Sequence, residues 1–209
     1  MEYNIHRFIN PGFLTYKLTE DEMNFVFKRI EEANGGKVIN SRLAGNISTS
    51  YDMGLHDLDP ILNIVLPLSR EYENQFGKPY TEMVSGKSTS TISLDDWWVN
   101  YQYQNEFNPA HAHSGIYSWV IWIKIPTEYE DQKMLPIALN SNSSTQISNF
   151  SFFFTNALGS VTEHTIKMGK ASEGIIAFFP AQFKHCVYPF YNCDEPRISV
   201  AGNISMHTK

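Results

Sequence analysis

Two histidines separated by one residue occur in the segment Asn108-Pro-Ala-His111-Ala-His113-Ser-Gly115. On an extended strand residues i and i+2 project from the same face, so His111 and His113 stand side by side and can chelate one metal ion. The pair alone fits two packed histidines beside a turn equally well. His185 changes the balance. It follows the apolar and aromatic run Gly174–Pro180, a hydrophobic setting for an imidazole. Neutral imidazoles suit iron, zinc, copper or nickel, and three of them leave coordination positions open for a substrate or oxygen.

Arg197-Ile-Ser-Val-Ala-Gly-Asn203 follows twelve residues later and alternates as a strand. Ile198, Val200 and Ile204 form an apolar face, whereas Arg197, Ser199, Ala201 and Asn203 share the other. An arginine opposite an apolar face is normally exposed to solvent. If that face instead lines an interior, Arg197 and Ser199 present a guanidinium fork and a hydroxyl to a buried carboxylate. A dicarboxylate with one end on the metal and the other on Arg197 fits such an arrangement. Glu106 is the nearest upstream acid that could reach the metal from a loop in place of His113.

The elements that must carry these groups fall into two zones. Thr19 and Glu22 have capping-box spacing, Met23, Val26, Phe27 and Ile30 share a helical face, and Gly35-Gly36 ends the pattern. A second helix is predicted from Asp59-Pro60 through Ile61, Val65, Leu68, Tyr72 and Phe76, with Pro67 expected to kink or divide it. From about Thr89 the period shortens to 2. Strands are predicted over 95–104, 115–126, 147–155, 161–168, 174–180, 185–190 and 197–205. The stretch 127–146 has turn composition and is expected to be a long exposed loop. The expected architecture is mainly β: a jelly roll over 89–209 with two N-terminal helices from 1–88 packed on one sheet, the whole chain 1–209 forming one domain.

Composition agrees with this and narrows the function classes. Charged residues are only 18% of the 209-residue chain while aromatics reach 14%, which argues against a disordered chain or a charged coiled coil. The net charge of -6, without a cluster of Lys and Arg, shows no footprint for nucleic acid or anionic lipid. Two cysteines without CxxC spacing, no basic-then-apolar leader and no apolar run long enough for a bilayer point to a cytoplasmic protein with no membrane partner. Trp97, Trp98, Trp119 and Trp122 are expected to be core, and Cys186 a small buried hydrophobe.

Four pieces of the chain resemble one family: Trp98–Tyr103, Asn108–His113, Phe178–His185 and Pro196–Asn203. In order and spacing they are similar to the Fe(II)- and 2-oxoglutarate-dependent oxygenases with a double-stranded β-helix (jelly-roll) core. The likeness is nearest to the group found in marine bacteria and tailed phages, distant relatives of prolyl hydroxylases. The resemblance implies Fe(II) on His111, His113 and His185, with Arg197 and Ser199 on the distal carboxylate of 2-oxoglutarate. It implies a dioxygenase that couples decarboxylation of 2-oxoglutarate by O2, giving succinate and CO2, to oxidation of a C–H bond. Peptide or protein side chains are the favoured substrate, ahead of a small metabolite. In related folds a Tyr or Asn from the preceding strand also contacts the co-substrate; Tyr101 and Tyr103 are preferred here over Asn100. The chain departs from most of the wider superfamily at His113, where a carboxylate usually stands. Two other classes fit the same residues: a three-histidine, cupin-like metal dioxygenase that needs no 2-oxoglutarate, and a non-catalytic jelly-roll binding module.

Overall fold

Thr19 caps the first helix as its spacing to Glu22 predicts. The Glu22 N–H donates to Thr19 Oγ1 at 3.3 Å, and Thr19 N–H donates back to the Glu22 carboxylate at 2.7 Å. The computed structural model describes residues 4–5, 10–78, 90–140 and 146–208. In chain order its strands are β1 (Leu14–Lys17), β2 (Thr49–Asp52), β3 (Ser90–Gln102), β4 (Asn108–His111), β5 (Tyr117–Lys124), β6 (Asn149–Thr155), β7 (Val161–Lys167), β8 (Ile175–Pro180), β9 (Lys184–Val187) and β10 (Arg197–Thr208). The helices are α1 (Glu20–Ala33), α2 (Asp59–Phe76) and two single turns, α3 (Tyr129–Gln132) and α4 (Pro136–Leu139).

Two antiparallel sheets form the jelly-roll arrangement. One has six strands in the order β1-β8-β5-β10-β3-β2 and the other four, β4-β9-β6-β7. Helices α1 and α2 pack on the outer face of the six-stranded sheet. There Val26, Ile30, Ile61, Val65 and Tyr72 meet Trp97, Val99, Ile121, Phe178 and Val200. The inner face of the same sheet turns Val120, Trp122, Ala177 and Phe179 toward Phe150 and Phe152 of β6. β5 is therefore covered on both faces, which explains its nearly continuous apolar run where a half-exposed strand would alternate. Full burial of each such side chain stabilises the fold by roughly 1.5–3 kcal/mol.

Three local expectations are corrected and one is narrowed. Pro67 does not divide α2, which runs unbroken from Asp59 to Phe76. Ile64 and Val65 before the proline and Tyr72 after it are all buried on the sheet, and this packing outweighs the missing N–H. Phe27 is 44% exposed, and the place its spacing suggested is taken by Arg29, 2% exposed. The Arg29 guanidinium lies 5.3 Å over the Trp97 ring and donates to the Met53 carbonyl. The 127–146 stretch is not simply an exposed loop. Tyr129 and Ala138 are buried with Ile147, and the buried Gln132 pairs both ways with the Tyr191 backbone at 2.8 and 2.9 Å. Residues 141–145 of that stretch lie outside the described residues. Finally, β1 and β2 come from the zone read as helical and complete the two edges of the six-stranded sheet. Among the described residues no helix is long and apolar enough to cross a membrane.

Candidate active site

The three histidines converge. One nitrogen from each of His111, His113 and His185 lies within 4.8 Å of the others. His111 ends β4 and His185 sits in β9, directly opposite it in the antiparallel ladder. His113 follows β4, where its N–H donates to the Ala181 carbonyl at 2.8 Å. The turn after it needs Gly115, whose φ is +99° and where a Cβ would lie 2.7 Å from the Ile204 carbonyl oxygen.

Ring orientation is set by backbone carbonyls. His111 Nδ1 donates to the Pro109 carbonyl at 2.7 Å and His185 Nδ1 to the Phe183 carbonyl at 2.8 Å. A carbonyl can only accept, so the proton sits on Nδ1 and the Nε2 lone pair is free for a cation. Burial pushes His113 down to about 4 and His185 down to about 3, with the neighbouring His111 adding to both, and burial also lowers His111. The cause is visible in the packing: Phe150 stacks on His185 with centroids 5.3 Å apart, Phe179 lies at 5.0 Å, and Trp98 stands 5.9 Å from His113. Three convergent neutral imidazoles, two of them with carbonyl-fixed tautomers, fit a divalent transition metal.

The same cavity contains Arg197 and Ser199. Strand β10 turns Arg197, Ser199 and Ala201 into it while Ile198 and Val200 join the core beneath the helices. Arg197 is 2% exposed, so the solvent-facing alternative does not hold. Its partners are neutral: Gln102 Oε1, the Tyr188 and Ser148 carbonyls and the Ser148 hydroxyl, with the Phe190 ring 5.0 Å below. No acid of the described residues pairs with it. Burial lowers its pKa to about 10, which leaves it charged at neutral pH. A buried cation without a counter-ion is costly, and an incoming carboxylate relieves that cost.

Tyr101 and Tyr103 are not brought to this cavity. β3 pairs with β10 in a register that places Arg197 opposite Gln102 and Ser199 opposite Asn100. Trp98, Asn100 and Gln102 therefore share the cavity face. Tyr101 packs into the core under the helices, and Tyr103 is 41% exposed. Asn100 accepts from the Ser50 hydroxyl at 2.7 Å, and residues 40–50 form the rim through Asn40, Leu43, Ala44, Gly45, Ile47 and Ser50. This rim carries no motif, and nothing in its composition marks it as site-forming. Glu106 is also elsewhere: its carboxylate accepts from the backbone of Ser48 at 3.0 Å and of Tyr103 at 2.8 Å, clasping a turn. Trp97, Trp98, Trp119 and Trp122 are all buried, and Trp98 doubles as cavity wall. Cys186 is buried and forms no disulfide.

The family described as "Putative 2OG-Fe(II) oxygenase" matches residues 96–203, just over half of the chain, and this span holds every histidine and arginine of the cavity. The chain belongs to this family. Solved structures agree on the fold. A Pseudomonas putida prolyl-4-hydroxylase aligns with a TM-score of 0.53 at 13% identity, covering 93% of this chain and 92% of that one. SnoN, a non-heme α-ketoglutarate-dependent epimerase of nogalamycin biosynthesis, aligns at 0.54 and 12%, covering 93% and 78%. HygX from Streptomyces hygroscopicus, solved with nickel, 2-oxoglutarate and hygromycin B, aligns at 0.50 and 9%, covering 93% and 83%. No curated protein matches the chain. The cluster that could hold a metal ion consists of three histidines, and among the described residues no carboxylate joins it.

Proposed function

We propose that this protein is an Fe(II)- and 2-oxoglutarate-dependent dioxygenase in which His111, His113 and His185 hold the iron and Arg197 and Ser199 hold the distal carboxylate of 2-oxoglutarate. The observation that carries this reading is Arg197, a buried guanidinium without an acidic partner that opens on the same cavity as three convergent imidazoles. Iron bound there with 2-oxoglutarate and O2 would supply the oxidising power for oxidation of a C–H bond coupled to decarboxylation of the co-substrate to succinate and CO2. The protein's part is binding and geometry. The Pro109 and Phe183 carbonyls hold the Nε2 atoms of His111 and His185 outward, and Phe150 and Phe179 exclude water. Arg197 fixes one end of the dicarboxylate so that its other end reaches the histidines.

Likeness in fold to a prolyl-4-hydroxylase supports a peptide or protein side chain as substrate; likeness to HygX, solved with hygromycin B, keeps a small molecule as the other class. A second reading has its own support. An all-histidine ligand set lacks the negative charge that most of the superfamily places on the metal, and it suits a three-histidine dioxygenase that needs no 2-oxoglutarate. The two readings separate in one assay. Protein loaded anaerobically with Fe(II) is exposed to O2 with and without 2-oxoglutarate. Succinate formed in step with O2 uptake supports the first reading; O2 uptake independent of 2-oxoglutarate supports the second; neither, with metal bound, leaves a binding module.

A further inference from the structure

The grip on Arg197 comes largely from one residue. Ser148 is fully buried and adopts a left-handed backbone with φ of 52°, uncommon for a residue bearing a side chain. In that conformation its hydroxyl and its carbonyl both accept from Nη2 of Arg197, at 2.8 and 3.2 Å. Its N–H donates to the Pro189 carbonyl at 2.8 Å, tying it to the loop that carries Phe190 beneath the guanidinium. Nη1 is taken by Gln102 Oε1 at 3.4 Å and the Tyr188 carbonyl at 3.5 Å, whereas Nε has no partner among the described residues.

We propose that Ser148 is a positioning residue for anion binding: its hydroxyl and carbonyl anchor Nη2 and so fix the guanidinium of Arg197 where it lines the cavity with Ser199 for the carboxylate. The inference rests on the 2-oxoglutarate reading above. A guanidinium held at both Nη atoms by neutral acceptors keeps its full charge and a fixed orientation, so little of its freedom remains to be lost on binding. The left-handed backbone is what lets one residue offer two acceptors to one nitrogen.

Ser148→Gly isolates the hydroxyl, because glycine keeps the positive φ and the carbonyl at no steric cost. The probe is 2-oxoglutarate titrated calorimetrically into the full-length protein loaded with Mn(II), alongside Tm and Mn(II) affinity. The expected result is unchanged Mn(II) affinity, a Tm equal to or above that of the wild type, and 2-oxoglutarate binding weaker by about tenfold. In an Arg197→Ala background the same change should have no further effect. Equal affinity in Ser148→Gly and wild type overturns the positioning role, as does a further loss in the Arg197→Ala background or a parallel fall in Tm and Mn(II) affinity. No binding of 2-oxoglutarate to the Mn(II)-loaded wild type is a different failure: it removes the co-substrate reading and this role with it.

Discussion

His111 and His185 face one another across the β4–β9 ladder with ring centroids 4.4 Å apart, and each donates its Nδ1–H to the carbonyl two residues before it in the sequence. The candidate metal site is thus built on two facing histidines that use the same local device. A slip of one residue in register would turn one imidazole to the far side of the sheet. His113 completes the set from the turn.

Loss of either member of that pair should remove the metal. His185→Ala and His111→Ala are expected to lose stoichiometric Fe(II) or Mn(II) after equilibrium dialysis, while far-ultraviolet circular dichroism stays that of the wild type. Retention of one metal per chain in His185→Ala would sink the three-histidine centre.

The metal-free protein should lose stability in acid over a defined window. Unfolded imidazoles titrate near 6.5, whereas burial holds His113 near about 4 and His185 near about 3 in the fold. Between these values the unfolded chain binds protons that the folded one does not, so folding stability is full above about 6.5 and declines as the pH falls toward the folded values. Tm of the metal-free protein is expected to drop between pH 7 and roughly pH 4.5, and to drop less steeply in His113→Phe. An identical slope in the two proteins would show that His113 titrates freely in the fold.

Gly202→Ala should destabilise the fold. A Cβ at this β10 position would lie 2.5 Å from the buried Trp119 ring and 3.0 Å from the Asp96 carbonyl oxygen. Overpacking of this kind costs about 1–3 kcal/mol, read as a lower urea midpoint with an unchanged m-value. A midpoint equal to that of the wild type would mean that the ring yields.

Asn100, and not Tyr101 or Tyr103, should matter for the co-substrate. Tyr101→Phe and Tyr103→Phe are expected to leave 2-oxoglutarate affinity within about twofold, while Asn100→Ala weakens it by about tenfold. A marked loss in Tyr101→Phe would place the wrong face of β3 in the cavity.

That last pair shows where sequence reading stops. Alternation along β10 separated Arg197 and Ser199 from Ile198 and Val200, because one face of that strand is apolar and the other is not. The same rule on β3 sorts Trp98, Asn100 and Gln102 from Trp97, Val99 and Tyr101, yet both sets mix large rings, and a strand buried on both faces offers no contrast to say which faces inward. The capping box at Thr19 is local and was fully legible. Burial of Arg29 against Trp97 was not, since it depends on two distant segments meeting. Short β1, β2 and β4 lack the length to show a period, and β4 contains Pro109. Ser148 escaped notice because its role lies in a backbone angle that no residue type announces.

The central claim is that one cavity joins the three histidines to an anion site at Arg197. The direct measurement is anaerobic titration of the Fe(II)-loaded protein with 2-oxoglutarate, followed by the visible charge-transfer absorption that chelation to iron produces. Wild type should develop the band and saturate, and Arg197→Ala should need about 10–100-fold more 2-oxoglutarate, the loss expected for a buried charge-assisted contact of about 1.5–3 kcal/mol. Absence of the band in Fe(II)-loaded wild type, or equal saturation in Arg197→Ala, would contradict it.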